Sequence, residues 1–197
     1  MSSCPTATVS DVPSAISEAS VLDTLPGYPM IWLLIFSELA AFGALLAAFS
    51  VAKALDPATF AAGQAQLDPL IAAVNTFCLV TSGWCAARAC AAAHADARAA
   101  ARRWLAGASL LGGLFIVLKL TEYADEIGRG IDVETSAFFT LYFLLTGFHL
   151  LHVVLGLVIL GVVAWRAEPA NVETGAAFWH MVDLVWLMLV PIIYLMR

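Results

Sequence analysis

The stretch Thr135-Ser-Ala-Phe-Phe-Thr-Leu-Tyr-Phe-Leu-Leu-Thr-Gly-Phe-His149-Leu-Leu-His152-Val-Val-Leu-Gly156-Leu-Val-Ile-Leu-Gly-Val-Val-Ala-Trp165 runs for 31 residues without a formal charge. About 20 mostly apolar residues are enough for a helix to cross a bilayer, so this segment reads as a membrane-spanning helix. Four more segments of that kind flank it. Residues 174–196 follow, holding His180 and Asp183. Before it come 104–123, with Lys119 and Glu122 near the far end, 69–87 without a charge, and 30–52 with Glu38 as its one charge. Asp56-Pro57 and residues 96–103, 128–134 and 168–173 punctuate the apolar runs and read as turns. An open sheet would leave backbone groups unpaired in lipid, and no alternating ten-residue pattern suggests a barrel. The expected fold is therefore all-α: a polytopic bundle of five transmembrane helices near residues 30–53, 68–92, 102–127, 135–166 and 173–196.

Composition agrees. The 197 residues are 62% hydrophobic and 12% charged, with a mean hydropathy of +0.90. A soluble domain carries roughly a quarter charged residues, so too little polar surface is left to coat a water-soluble globule. Disorder needs the opposite composition. A net charge of −6 offers no basic field to phosphates and excludes a nucleic-acid partner. Residues 1–29 have no apolar run, so no signal peptide is read there; they are expected to form a flexible tail before a single domain spanning 30–197. Arg98, Arg102, Arg103 and Arg166 fall on the tail's side, and Lys53, Arg129 and Arg197 on the other. The positive-inside rule then places the N-terminus in the cytoplasm and the C-terminus outside. Cys4, Cys78, Cys85 and Cys90 include no C-x-x-C and read as small apolar fillers. No internal repeat of the inverted transporter kind is visible.

An ionisable residue inside a membrane helix is costly unless paired or wet, so the few present are the informative ones. Glu38 stands alone in the first helix, open to three roles: proton relay, lipid contact, or a hydrogen bond to a neighbouring helix. Asn75, Ser82 and Gly83 in the second helix read as interhelical glue, with Ser109 and Gly113 repeating that logic in the third. Lys119 and Glu122, one turn apart, neutralise one another near the outer surface, beside Tyr123 at interface depth, with Asp125 and Glu126 in the outer fringe. His149 and His152 share a face with Gly156, and His180, Asp183 and Trp186 lie on one stripe of the last helix. Counted at ~1.5 Å per residue, His152 sits roughly 20 Å and His180 roughly 10 Å from the inner surface, too far apart in depth to ligate one haem. No catalytic, cofactor-binding or metal-binding residue is expected; phospholipid is the small molecule these positions can contact.

Several strings carry a family resemblance: Phe36-Ser-Glu38, Val74-Asn-Thr76 with Thr81-Ser-Gly83, Lys119-Leu-Thr-Glu-Tyr123, Phe138-Phe139, Thr146-Gly-Phe-His-Leu-Leu-His-Val-Val-Leu-Gly156 and Phe178-Trp-His-Met-Val-Asp-Leu-Val-Trp186. From about Met30 to the C-terminus the chain resembles the subunit III family of haem-copper oxidases, in its short five-helix form. The resemblance implies a non-catalytic membrane subunit in a bacterial plasma membrane, supporting the stability and proton uptake of the catalytic subunit in respiratory electron transport. It implies haem and copper in partner subunits I and II. Carried over by position, Glu38 would face lipid or the bundle, and His149, His152, Glu122, His180 and Asp183 would form a polar bundle interior. An accessory protein of nitric oxide reductase (the NorE type), with that enzyme's subunits as partners, and a small proton-linked transporter are the alternatives.

Overall fold

The structure, a computed structural model, describes residues 29–196; the tail and its Cys4 lie outside the described residues. Six α-helices follow one another: α1 Pro29–Leu55, α2 Pro57–Gln64, α3 Pro69–His94, α4 Arg98–Gly128, α5 Ala137–Arg166 and α6 Pro169–Val190, the last continuing into a π-turn, Pro191–Leu195. Among the described residues there is no strand. Five of the helices are long and apolar enough to cross a membrane. The sixth, α2, occupies what the sequence suggested was a turn. Asp56 caps it by accepting a hydrogen bond from the Thr59 N–H at 3.2 Å, and Pro57 stands at its first position, where no N–H is required. Thr59, through its hydroxyl and then its N–H, also holds the Asp56 carboxyl below the usual carboxylate range.

The helix ends show why apolar length misjudged some boundaries. Asp68 and Ser136 cap α3 and α5 by the same chemistry as Asp56, and Pro69 and Pro169 begin α3 and α6. The segments 96–103 and 168–173, expected as turns, are largely helical, because a polar sequence can still wind beyond the apolar stretch. Arg102 explains one such extension. Its Nε donates to Ala164 O at 3.1 Å and its Nη2 to Trp165 O at 2.7 Å, so the start of α4 satisfies carbonyls that α5 leaves open at its end. At the other face Pro191 lacks an N–H and breaks the α-ladder of α6. The chain closes a wider turn there, Met196 N–H to Pro191 O at 2.8 Å, and Gln64 Nε2 from α2 donates to the Ile192 and Ile193 carbonyls at 3.1 and 2.9 Å. The short helix is thereby tied to the end of the last one.

The bundle centres on α6, which packs against α3, α5 and α1, while α3 and α4 form the most extensive pair. Trp179 of α6 fills the middle. An alanine methyl built at Gly112 of α4 or at Gly156 of α5 would lie 2.7 Å from its ring. Its indole N–H donates to Ser82 Oγ at 3.0 Å, and Ser82 donates onward to Ala108 O at 2.7 Å. Without a hydrophobic force to pull helices together in lipid, such close approach at small residues is what holds them. Ala108 and Gly112 of α4 meet Ser82 and Trp179, one position earlier than the expected Ser109 and Gly113; a methyl at Gly113 would meet nothing within 4 Å.

Candidate functional site

Three helical segments bring their polar side chains into one buried cluster. Lys119 of α4 is fully buried, and its Nζ donates to Glu122 Oε2 at 3.0 Å, Tyr142 OH of α5 at 2.8 Å and Tyr194 OH of the terminal π-turn at 2.8 Å. Tyr194 OH lies 2.8 Å from Glu122 Oε1. Tyr142 OH lies 3.1 Å from the same oxygen and 2.9 Å from Glu126 Oε1. The ammonium also sits 4.7–5.7 Å from the rings of Tyr142, Tyr123, Tyr194 and Trp186, where aromatic faces attract a cation. Beside it, Tyr123 OH donates to Thr146 Oγ1 at 2.7 Å, since Thr146 spends its own hydrogen on Tyr142 O.

The Lys119–Glu122 pair forms as its spacing implied, and it lies buried within the bundle. Both residues are buried, and Glu126, expected in the fringe, is 1% exposed. The reason is tertiary: Tyr142 and Tyr194 close over α4 from two other segments. Neither tyrosine stands out in the sequence, because a tyrosine near a helix end is ordinary interfacial anchoring until its neighbours are known.

Glu38 is not alone. Its Oε2 lies 2.9 Å from Nε2 of His152 on α5, and His152 Nδ1 lies 2.8 Å from Phe148 O of the preceding turn. A carbonyl oxygen can only accept, so Nδ1 carries a hydrogen. Phe42 and Phe148 enclose the imidazole, with ring centroids at 5.2 and 4.6 Å. The pair sits at the flank of the bundle, where α1 packs against α5.

The remaining residues divide by helix rotation. His149 turns inward and stacks on Trp186 at 5.1 Å with Phe115 edge-on at 5.7 Å; among the described residues neither of its ring nitrogens has a hydrogen-bond partner. Asn75 is likewise fully buried with both amide atoms unpartnered. Trp186 donates its indole hydrogen to Thr76 at 3.1 Å. His180 and Asp183 face the opposite flank, 3.5 Å apart, where Asp183 sits against Gly83 of α3. The expected single stripe of His180, Asp183 and Trp186 therefore splits, and His180, half exposed, is not in the bundle interior; three residues on a helix advance 300°, enough to separate flank from core over two steps. Cys78, Cys85 and Cys90 are free thiols in helix packing. Among the described residues no group of three or more His, Cys, Asp or Glu side chains converges on a point that could hold a metal ion.

Residues 26–197 match the family described as cytochrome c oxidase subunit III. Cytochrome c oxidase subunit 3 of Synechocystis sp. is 30% identical over 174 residues, covering 83% of this chain and 73% of that protein. Its counterpart in Thermostichus vulcanus is 27% identical over 182 residues, 87% and 89% of the two chains. Cytochrome bo(3) ubiquinol oxidase subunit 3 of Pseudomonas aeruginosa is 30% identical over 173 residues, 84% and 82%. These names do not favour the nitric oxide reductase alternative.

Proposed function

Because the chain belongs to the cytochrome c oxidase subunit III family, we propose that it packs against the catalytic subunit of a haem-copper oxidase, which with its own neighbour carries the haem and copper. It is a non-catalytic membrane subunit of such a complex. The observation that carries this reading is that the family match runs through all five spans, while the carboxylates in those spans are engaged by basic or phenolic side chains of the same chain. Such pairing stitches helices together and leaves redox chemistry to a companion. In the proposed arrangement the N-terminus lies in the cytoplasm of a bacterium and the C-terminus outside. The flank pairs Glu38–His152 and His180–Asp183 are the polar positions available to neighbouring chains or lipid headgroups. A phospholipid chain has room in an apolar cavity of about 610 Å³ between α1, α2 and the end of α6, with Lys53 among its lining residues.

Purification in mild detergent followed by mass spectrometry tests the proposal. A large haem-bearing oxidase chain should accompany this one, and deleting this chain should leave the haem spectrum of the complex intact while activity decays faster during turnover. Recovery of the chain with nitric oxide reductase subunits, or a lost haem spectrum on deletion, would refute it.

A further inference from the structure

We infer that the Lys119 cluster is a proton-binding site: Glu126 and Glu122 share one carboxylic-acid proton, which exchanges with water through a cavity at the face where α1 ends and α3 begins. The inference rests on a count of hydrogens and not on the family assignment. Six polar contacts join the five side chains Lys119, Glu122, Glu126, Tyr142 and Tyr194. An ammonium brings three hydrogens and each phenol one, five in all. The sixth contact is a hydrogen bond only when a carboxyl contributes a proton. The same proton balances the charge, because one ammonium against two carboxylates leaves an uncompensated anion where water is scarce.

Tyr142 makes the shared position workable. When Glu126 holds the proton it donates to Tyr142 OH, and Tyr142 donates to Glu122. When the phenol passes its hydrogen to Glu122 and takes the one from Glu126, the proton has moved between the acids with every contact still made. Glu122 and Glu126 form part of the wall of a cavity of about 350 Å³, together with Gln66, Asp68, Asp125 and Arg129. Glu126 Oε2 is buried and has no hydrogen-bond partner among the described residues. The other charged groups at this mouth are already engaged: Arg129 bonds Asp125 at 2.9 Å and Gln66 O at 3.4 Å, and Asp68 caps α3. Toward the core, His149 of α5 stacks on Trp186, whose ring also lies against Lys119, and Tyr123 is committed to Thr146.

Infrared spectroscopy of the full chain in lipid nanodiscs, in H2O and D2O, reads the proton directly. All samples carry Glu38→Gln, which removes the acid of the flank pair. The expected result is a carboxylic-acid carbonyl band that shifts in D2O, is lost in Glu126→Gln, and changes frequency in Tyr142→Phe. Should Glu126→Gln fail to fold, Tyr142→Phe carries the test. A carboxylic-acid band unchanged by both substitutions, its absence from the parent, or a band that never shifts in D2O overturns the proposal; a bifurcated Tyr142 hydrogen between two ionised carboxylates would give the second of these. An unidentified companion chain in the pulldown would leave this result standing, and the converse holds.

Discussion

Replacing Gly156 by alanine tests how α5, α6 and α4 are locked together. The added methyl would lie 2.7 and 2.8 Å from Cε3 and Cζ3 of Trp179, well inside the separation that carbons keep. The ring has no room to retreat, since the Gly112 backbone of α4 is equally close and the indole N–H is tied to Ser82. Forcing a methyl into a packed site costs about 1–3 kcal/mol, whereas alanine regains roughly 0.5–1 kcal/mol over glycine within a helix. The net expectation is a loss of about 1 kcal/mol, the two ranges combining to about 0–2.5 kcal/mol. Gly147 and Gly161 on the same helix supply the control, because a methyl at either meets nothing within 4 Å; alanine there should be neutral or stabilising by up to roughly 1 kcal/mol. Unfolding by SDS, followed by circular dichroism, measures all three variants. The reasoning fails if Gly156→Ala is as stable as the parent, or if Gly161→Ala is equally damaging. In a Trp179→Leu background the Gly156→Ala cost should shrink, since the two sites touch and their effects should not add.

Two further expectations use other parts of the fold. Lys119→Met strips the buried Glu122 carboxylate of its cation and should cost about 3–5 kcal/mol in the same unfolding assay; adding Glu122→Gln should recover a substantial part, and a double variant less stable than the single would contradict the pairing. Asp56→Ala removes the cap of α2. The Asp56 carboxyl is held below its ordinary value of 3.8 by Thr59, so the stabilisation it gives is full above that value and fades as pH falls through the lowered one. Hydrogen exchange of the α2 amides should therefore be faster in Asp56→Ala at neutral pH and converge with the parent only in acid; equal rates at neutral pH would show that the cap contributes nothing.

What could be read from the chain and what could not divide along a physical line. The five spans were legible because apolar length is a local property. The Lys119–Glu122 pair was legible because helix geometry alone brings residues three apart together. The partner of Glu38 was not: His152 lies 114 positions away, and nothing in either residue's surroundings encodes the rotation and depth at which α1 meets α5. Tyr142 and Tyr194 were hidden for the same reason. Helix α2 was missed on different grounds, being too short to show an apolar span and signalled only by Asp56 and Pro57, residues that serve a turn equally well.

The amino-acid sequence by itself determined that this chain lives in a bilayer, crosses it five times and belongs to a family of oxidase subunits, since transfer of apolar residues into hydrocarbon adds up segment by segment and motif strings survive in one dimension. Only the tertiary structure decided which polar groups meet. In lipid every helix face is about equally comfortable, so close packing at Gly112, Gly156 and Ser82, and not burial from water, sets how each helix turns. That rotation sends His149 into the core and turns His152 toward α1, and it gathers a lysine, two glutamates and two tyrosines from separate segments into one cluster.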